Sequence, residues 1–270
     1  MKNFTVVTVI VAMVVGTSGM AQNVGTNSTS LAGIVSVLPH DPWALFHNPG
    51  ALGDSFSVVF TSFLSNGEFG LHELRRVSAS FILPLDGAGV GIGADQFGFD
   101  LYKESSLVAG FGLALDGGWS GGISMQLRQL DIKGYGTDRS VLIHAGGLVR
   151  IARMVTLGAS ASNITGSTIG TIKERLPQTL ALGLRFEPSG SFFAAGEIEK
   201  DVRYPAAVKV AVCQSLGSFV GISAGLADHP SRVSAGIDVR YRGIICSWAG
   251  YRHEDLGWTH HVGVTVELSK

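Results

Sequence analysis

Segments of about ten residues, apolar at every second position, recur along this chain from about Ser55 to its end. A period of two sends alternate side chains to opposite faces of a strand, so each segment has one apolar face. In 178–186, Leu180, Leu182, Leu184 and Phe186 share a face, and Thr179, Ala181, Gly183 and Arg185 share the other. In 233–241 the apolar set is Val233, Ala235, Ile237, Val239 and Tyr241, against Ser234, Gly236, Asp238 and Arg240. The last segment repeats the pattern, with Val262, Val264, Val266 and Leu268 alternating with Gly263, Thr265 and Glu267. A packed core does not accept unpaired charges such as those on the second face. Apolar side out and polar side in is the pattern of a membrane barrel. A soluble, exported all-β interaction protein would show the same alternation with the faces reversed.

Strand length and loop length favour the barrel. Strands are expected at 55–64, 75–84, 88–97, 103–115, 119–130, 140–150, 155–163, 177–187, 191–200, 206–214, 219–227, 232–241, 244–251 and 259–269. Each is about ten residues, the length a tilted strand needs to cross a bilayer; soluble strands average about half that. The even-to-odd connections, 85–87, 116–118, 151–154, 188–190, 215–218 and 242–243, are short. The odd-to-even connections tend to be longer, at 65–74, 131–139, 164–176 and 252–258. Short turns on the periplasmic side and long loops outside are the habit of outer-membrane barrels. The expected fold is therefore all-β, a transmembrane antiparallel up-and-down β-barrel of about 14 strands with both termini in the periplasm.

Composition agrees. Hydrophobic residues make up 46% of the chain and charged residues only 15%, with mean hydropathy +0.32. Yet no apolar run long enough for a membrane helix follows the N-terminus,. A net charge of −1 provides no field for nucleic acid,. The 37 glycines are about twice the usual share and sit within strand-like segments,. They suit a wall that bends sharply or approaches other backbone closely. Cys213 and Cys246 are far apart in sequence and read as free wall residues,.

Lys2, the apolar stretch 4–15 and the small residues Gly19 and Ala21 read as a signal peptide cleaved after Ala21,. This divides the chain into a signal peptide at 1–21, a lead-in or hatch segment at 22–54, and a barrel at 55–270. Export by that route places the barrel in the outer membrane of a Gram-negative bacterium.

No catalytic constellation is evident, and a non-enzyme is expected, with no cofactor and no metal. Ser65-Asn66-Gly67 resembles part of an outer-membrane phospholipase motif, but Phe63 stands where the base should be,. His253, His260 and His261, with Glu254 and Asp255 nearby, offer metal-ligand chemistry,, but read more simply as a polar extracellular loop. The inner face is expected to be polar, carrying Arg128, Arg150, Arg185, Glu197, Glu199, Lys209, Asp238, Arg240 and Glu267. The stretch 39–52, with prolines at 39, 42 and 49, is poorly suited to a strand,. It reads either as a hatch folded into the lumen, the favoured placement, or as a periplasmic lead-in. Asp41, Trp43, Phe46, Asn48 and Pro49 are its candidate functional residues.

This stretch, ending Asn48-Pro49-Gly50-Ala51-Leu52, resembles the lead-in of FadL-like barrels and, more closely, that of the PorV/PorQ family. Further resemblances are Gly98 with Tyr102, Glu199-Lys200-Asp201 before Pro205, and Arg252-His253 through Gly257, Thr259 and His260 before the final strand. Gly50 stands where the family usually has Ala. The resemblance implies a 14-stranded barrel that assists type IX secretion or surface display, with secretion-system proteins and exported cargo as partners. The alternative it carries is a FadL-like channel for hydrophobic small molecules. In either case outer-membrane lipid surrounds the wall, and no catalytic residue is implied.

Overall fold

The computed structural model describes residues 24–55, 57–253 and 257–268. The signal peptide at 1–21 and the acidic pair Glu254 and Asp255 lie outside the described residues. Fourteen long strands form a closed antiparallel barrel. In the first half they are β1 (Val58–Ser65), β2 (Arg76–Leu85), β3 (Ala88–Phe99), β4 (Tyr102–Leu115), β5 (Trp119–Ile132), β6 (Gly136–Ala152) and β7 (Val155–Ser162). A small two-stranded ladder, β8 (Thr168–Ile169) with β9 (Glu174–Arg175), decorates the next loop. The second half is β10 (Thr179–Ser189), β11 (Phe192–Asp201), β12 (Ala207–Leu216), β13 (Val220–Asp228), β14 (Ser231–Tyr241), β15 (Ile244–His253) and β16 (Gly257–Leu268). Each barrel strand pairs with the next, and β1 closes on β16 in a register running from Val58↔Leu268 to Ser65↔His261. Closure leaves no unpaired strand edge, which is what allows a sheet to cross hydrocarbon.

The fourteen expected strands are all present. The apolar faces point outward. On β5, Ile123, Met125 and Leu127 are exposed while Ser124, Gln126 and Arg128 are buried. On β10, Leu180, Leu182, Leu184 and Phe186 are exposed. A soluble sandwich would bury the first set and expose the second, so the observed faces are those of a lipid-facing wall.

Loop lengths correct the sequence reading in part. The turns following β2, β4, β6, β10, β12 and β14 span two or three residues. At the opposite end only 66–75, 163–178 and 202–206 are longer. The expected loops at 131–139 and 252–258 are mostly strand, because β6 begins at Gly136 and β15 runs to His253. Ladder hydrogen bonds continue past the alternating apolar stretch here, so hydrophobic pattern underestimates strand length.

The interior departs from the expected uniformly polar lining. Residues 24–54 enter the lumen as a compact segment with a short helix, α1 (Thr26–Ser30), and a 3-10 turn at Pro49–Leu52. Ala44, Leu45, Ala51 and Leu52 pack on inward Val59, Ile82, Val108 and Leu148. Leu31, Ile34, Val37 and Leu38 pack on Ala195 and Ala211 of the opposite wall. The barrel thus holds an apolar core of its own at this level, interrupted by the buried Glu197 and Lys209, with other wall charges displaced towards its two ends.

The glycine content follows from this filling. A Cβ on Gly89 would lie 2.1 Å from the Leu52 carbonyl oxygen, and one on Gly158 2.0 Å from that of Ser36. A Cβ on Gly225 would meet Ala32 N at 2.8 Å. The inserted backbone lies directly on the wall backbone, an approach only glycine permits.

Candidate functional site: the filled lumen

Short polar contacts fasten the inserted segment to the wall. Glu197 on β11 accepts from Val35 N at 2.8 Å, Ser36 N at 2.7 Å and Ser36 Oγ at 2.7 Å. Its cross-strand neighbour Lys209 donates from Nζ to Glu197 Oε1 and Glu199 Oε2, each at 2.8 Å, and to the Gly33 carbonyl at 2.7 Å. One ion triad therefore grips both the donors and an acceptor of the turn 33–36. Ala32 N donates to Ser234 Oγ, and that hydroxyl donates to the Ser30 carbonyl, both at 2.9 Å. On the far side Ser124 Oγ donates to the Leu45 carbonyl at 2.8 Å.

The segment is also braced internally. Asp41 Oδ2 lies 2.6 Å from His47 Nδ1, with both side chains buried. Its other oxygen accepts from Trp43 N. Asn48 caps the 3-10 turn by accepting from Gly50 N at 3.0 Å, and Pro49 begins that turn. The Asn48 amide also donates to the carbonyls of Ser36 at 2.6 Å and Gly147 at 3.2 Å. Asn48 thereby ties together two parts of the segment and the wall. A proline at the first helical position loses no backbone bond, which explains why this Asn-Pro pair starts a turn.

Above this level, towards the longer loops, polar side chains pair among themselves. Arg76 binds Asp95 through Nε at 2.7 Å and Nη2 at 3.0 Å, and Ser78 donates to the same carboxylate. Arg128 lies 3.6 Å from Glu104. His144 lies within hydrogen-bond reach of Gln126 and Ser162. Below, at the short-turn end, Arg185 pairs with Glu187 at 3.0 Å and stacks over Phe193, and Arg240 lies 3.7 Å from Asp238. Cys213 and Cys246 are both free thiols.

A series of aromatic contacts links the loop end to the inserted segment. Phe46 packs on Trp43 (ring centroids 6.0 Å apart), Trp43 on Phe63 (6.1 Å), Phe63 on His261 (5.1 Å), and His261 on Tyr251 (5.8 Å). Tyr251 then meets Phe69, which also abuts His253. Phe69 is reached because loop 66–75 folds back over the barrel mouth, with Phe69 N donating to Thr259 Oγ1 at 3.0 Å. Phe69 holds a left-handed conformation (φ 57°) to make this bend.

The loop motif separates accordingly. His253 and Thr259 contact the folded-back loop. Gly257, with φ 84°, starts β16. His260 points outward between Trp248 and Trp258, whereas its neighbour His261 points inward. Consecutive strand residues face opposite sides, so these histidines cannot share one metal ion. Among the described residues no group of three or more metal-ligating side chains occurs.

Of the predicted site residues, the structure brings Trp43 and Phe46 to the aromatic series, and Asn48, Glu197 and Glu199 to the fastening contacts. Asp41 stays within the segment. Arg128, Arg185, Asp238 and Arg240 lie on the lumen wall, above or below it. Arg76, Asp95, Ser234 and Tyr251 were not singled out. Each has the inward parity of its strand, a signal that was available but that does not rank one inward residue above another.

Family-model and curated-protein searches find no match. Solved structures share the architecture. A structure titled "CymD monoaromatic hydrocarbon channel" has a TM-score of 0.67 at 10% identity, covering 92% of this chain and 98% of that one. The Ralstonia pickettii toluene transporter TbuX gives 0.66 at 9% identity, with the same coverages. A Pseudomonas aeruginosa FadL homologue gives 0.63 at 11% identity, covering 90% and 98%. At these identities the likeness is one of fold. The chain is a closed 14-stranded barrel with a FadL-like fold.

Proposed function

We propose that this chain is an outer-membrane channel for hydrophobic small molecules, with residues 24–54 as its hatch. The observation that carries this reading is the aromatic series from Phe69 through Tyr251, His261 and Phe63 to Trp43 and Phe46. Ring faces favour planar apolar solutes. The apolar belt on the wall supports residence in the outer membrane, and the fold likeness to hydrocarbon channels supports the solute class.

The inserted segment occupies the barrel centre, so passage requires it to shift. The test is toluene flux into lipid vesicles holding the purified protein, compared with empty vesicles. Asn48→Ala and deletion of 24–54 should each raise flux. Equal flux with and without protein would remove the channel reading.

The secretion reading rests on the resemblance of Asp41–Leu52 and of the His253–His260 motif to PorV/PorQ sequences. Deleting the gene and measuring surface cargo distinguishes the two. Lost cargo with unchanged hydrocarbon uptake would favour secretion.

A further inference from the structure

Beside the aromatic series lies one polar pair without a hydrogen-bond partner among the described residues. His261 is 5% exposed, and neither ring nitrogen has a hydrogen-bond partner. Ser65 is 1% exposed, and its Oγ is likewise unpartnered. The two residues are directly paired across the β1–β16 ladder and both face the lumen. A buried donor or acceptor left without a partner bears the full desolvation cost. Two such groups side by side, in a wall where most other polar atoms are satisfied, mark a place built to receive a polar atom from elsewhere.

We propose that Ser65 and His261 anchor a solute carrying a single neutral hydroxyl group on an aromatic ring, that is, a phenol. This rests on the channel reading above and specifies its substrate class. A neutral imidazole offers one N–H and one lone pair. A hydroxyl offers the matching lone pair and proton, and the serine hydroxyl completes either arrangement. The rest of a phenol is a flat apolar ring, compatible with the aromatic surroundings of His261, whose own ring stacks on Phe63 and Tyr251.

Two alternative solute classes fit less well. A bare hydrocarbon would leave the imidazole and hydroxyl desolvated and unpaired, which a hydrogen-bonding site penalises. A carboxylate needs a cation, and the two buried arginines on this side are both engaged, Arg76 opposite Ser65 with Asp95 through two bonds and Arg232 over the Tyr251 ring. The anchor lies just beyond Trp43, which packs on Phe63. Entry of a ring therefore requires the Trp43 side of the hatch to yield.

The test uses the full-length protein in detergent, with p-cresol, toluene and p-toluate as probes and calorimetric titration as readout. The wild-type protein should bind p-cresol about tenfold more tightly than toluene, the scale of one net hydrogen bond, and p-toluate least. His261→Phe should reduce p-cresol to parity with toluene. His261→Gln, which keeps a donor and an acceptor, should restore part of the preference, and Ser65→Ala should weaken it. Heat-modifiable gel migration reports whether each variant retains its barrel. Equal affinity for p-cresol and toluene in the wild type would overturn the anchor while leaving the channel standing; a buried water filling the site would give that result. Tightest binding of p-toluate would overturn the solute class. Absence of binding by all three, with flat toluene flux, would overturn both readings.

Discussion

Asn48 Oδ1 lies 2.1 Å from the point where a side chain on Gly146 would begin. The inserted segment and the barrel wall are thus fitted at backbone distance, and wall residue 146 can only be glycine while Asn48 keeps its place. Gly146→Val should expel this corner of the segment without opening the barrel ladder. Overpacking of this kind costs about 1–3 kcal/mol. In planar bilayers the variant should show larger and more frequent openings than the wild type, with unchanged heat-modifiable migration.

Removal of the Asn48 side chain tests the same joint from the other side. Asn48→Ala deletes the cap on Gly50 and the bonds to Ser36 and Gly147. Loss of such a cap costs about 0.5–2 kcal/mol. Limited proteolysis should cut within 24–54 faster in the variant than in the wild type, while the barrel strands stay protected.

Glu197 and Lys209 form a buried ion pair within the wall that also holds the segment through Val35, Ser36 and Gly33. Glu197→Leu leaves a buried ammonium short of one partner and strands the donors of Val35 and Ser36. Breaking a buried pair in this way costs about 3–5 kcal/mol. The combined change Glu197→Leu with Lys209→Met removes both charges and should cost less than Glu197→Leu alone. Urea unfolding in lipid vesicles reads both. A double variant less stable than the single one would show that Lys209, through its bonds to Gly33 and Glu199, holds turn 33–36 without Glu197.

The outward face predicts a position-dependent response to charge. Leu182, mid-strand on β10 and 57% exposed, should face hydrocarbon. Leu182→Arg should cost about 2–4 kcal/mol in a bilayer and lower the yield of assembled barrel. Ile172, at the tip of the β8–β9 ladder and 85% exposed, should accept Arg with no measurable change. Equal effects at the two sites would contradict the membrane placement.

The alternation of Leu180, Leu182, Leu184 and Phe186 with Arg185 and Gly183 was enough to place β10 and its faces. The same grammar located all fourteen barrel strands. It failed at Gly136 and at His253, where strand continues through polar residues because the neighbouring strand offers its backbone bonds. The candidate site was legible only as parity. Glu197 and Asp238 are both inward acids on neighbouring parts of the wall. Yet Glu197 grips the segment, whereas Asp238 lies towards the short-turn mouth beside Arg240.

Sequence periodicity located the strands, and strand and loop lengths pointed to the outward apolar belt and to closure, because these depend on local alternation and on pairing backbone groups in hydrocarbon. Tertiary structure alone decided that 24–54 lies within the lumen, that the glycines form its bed, and that Ser65 and His261 stand together unpartnered. Those relationships join residues distant in the chain, Ser65 on the first strand and His261 on the last among them, and only the closed barrel brings them to one place.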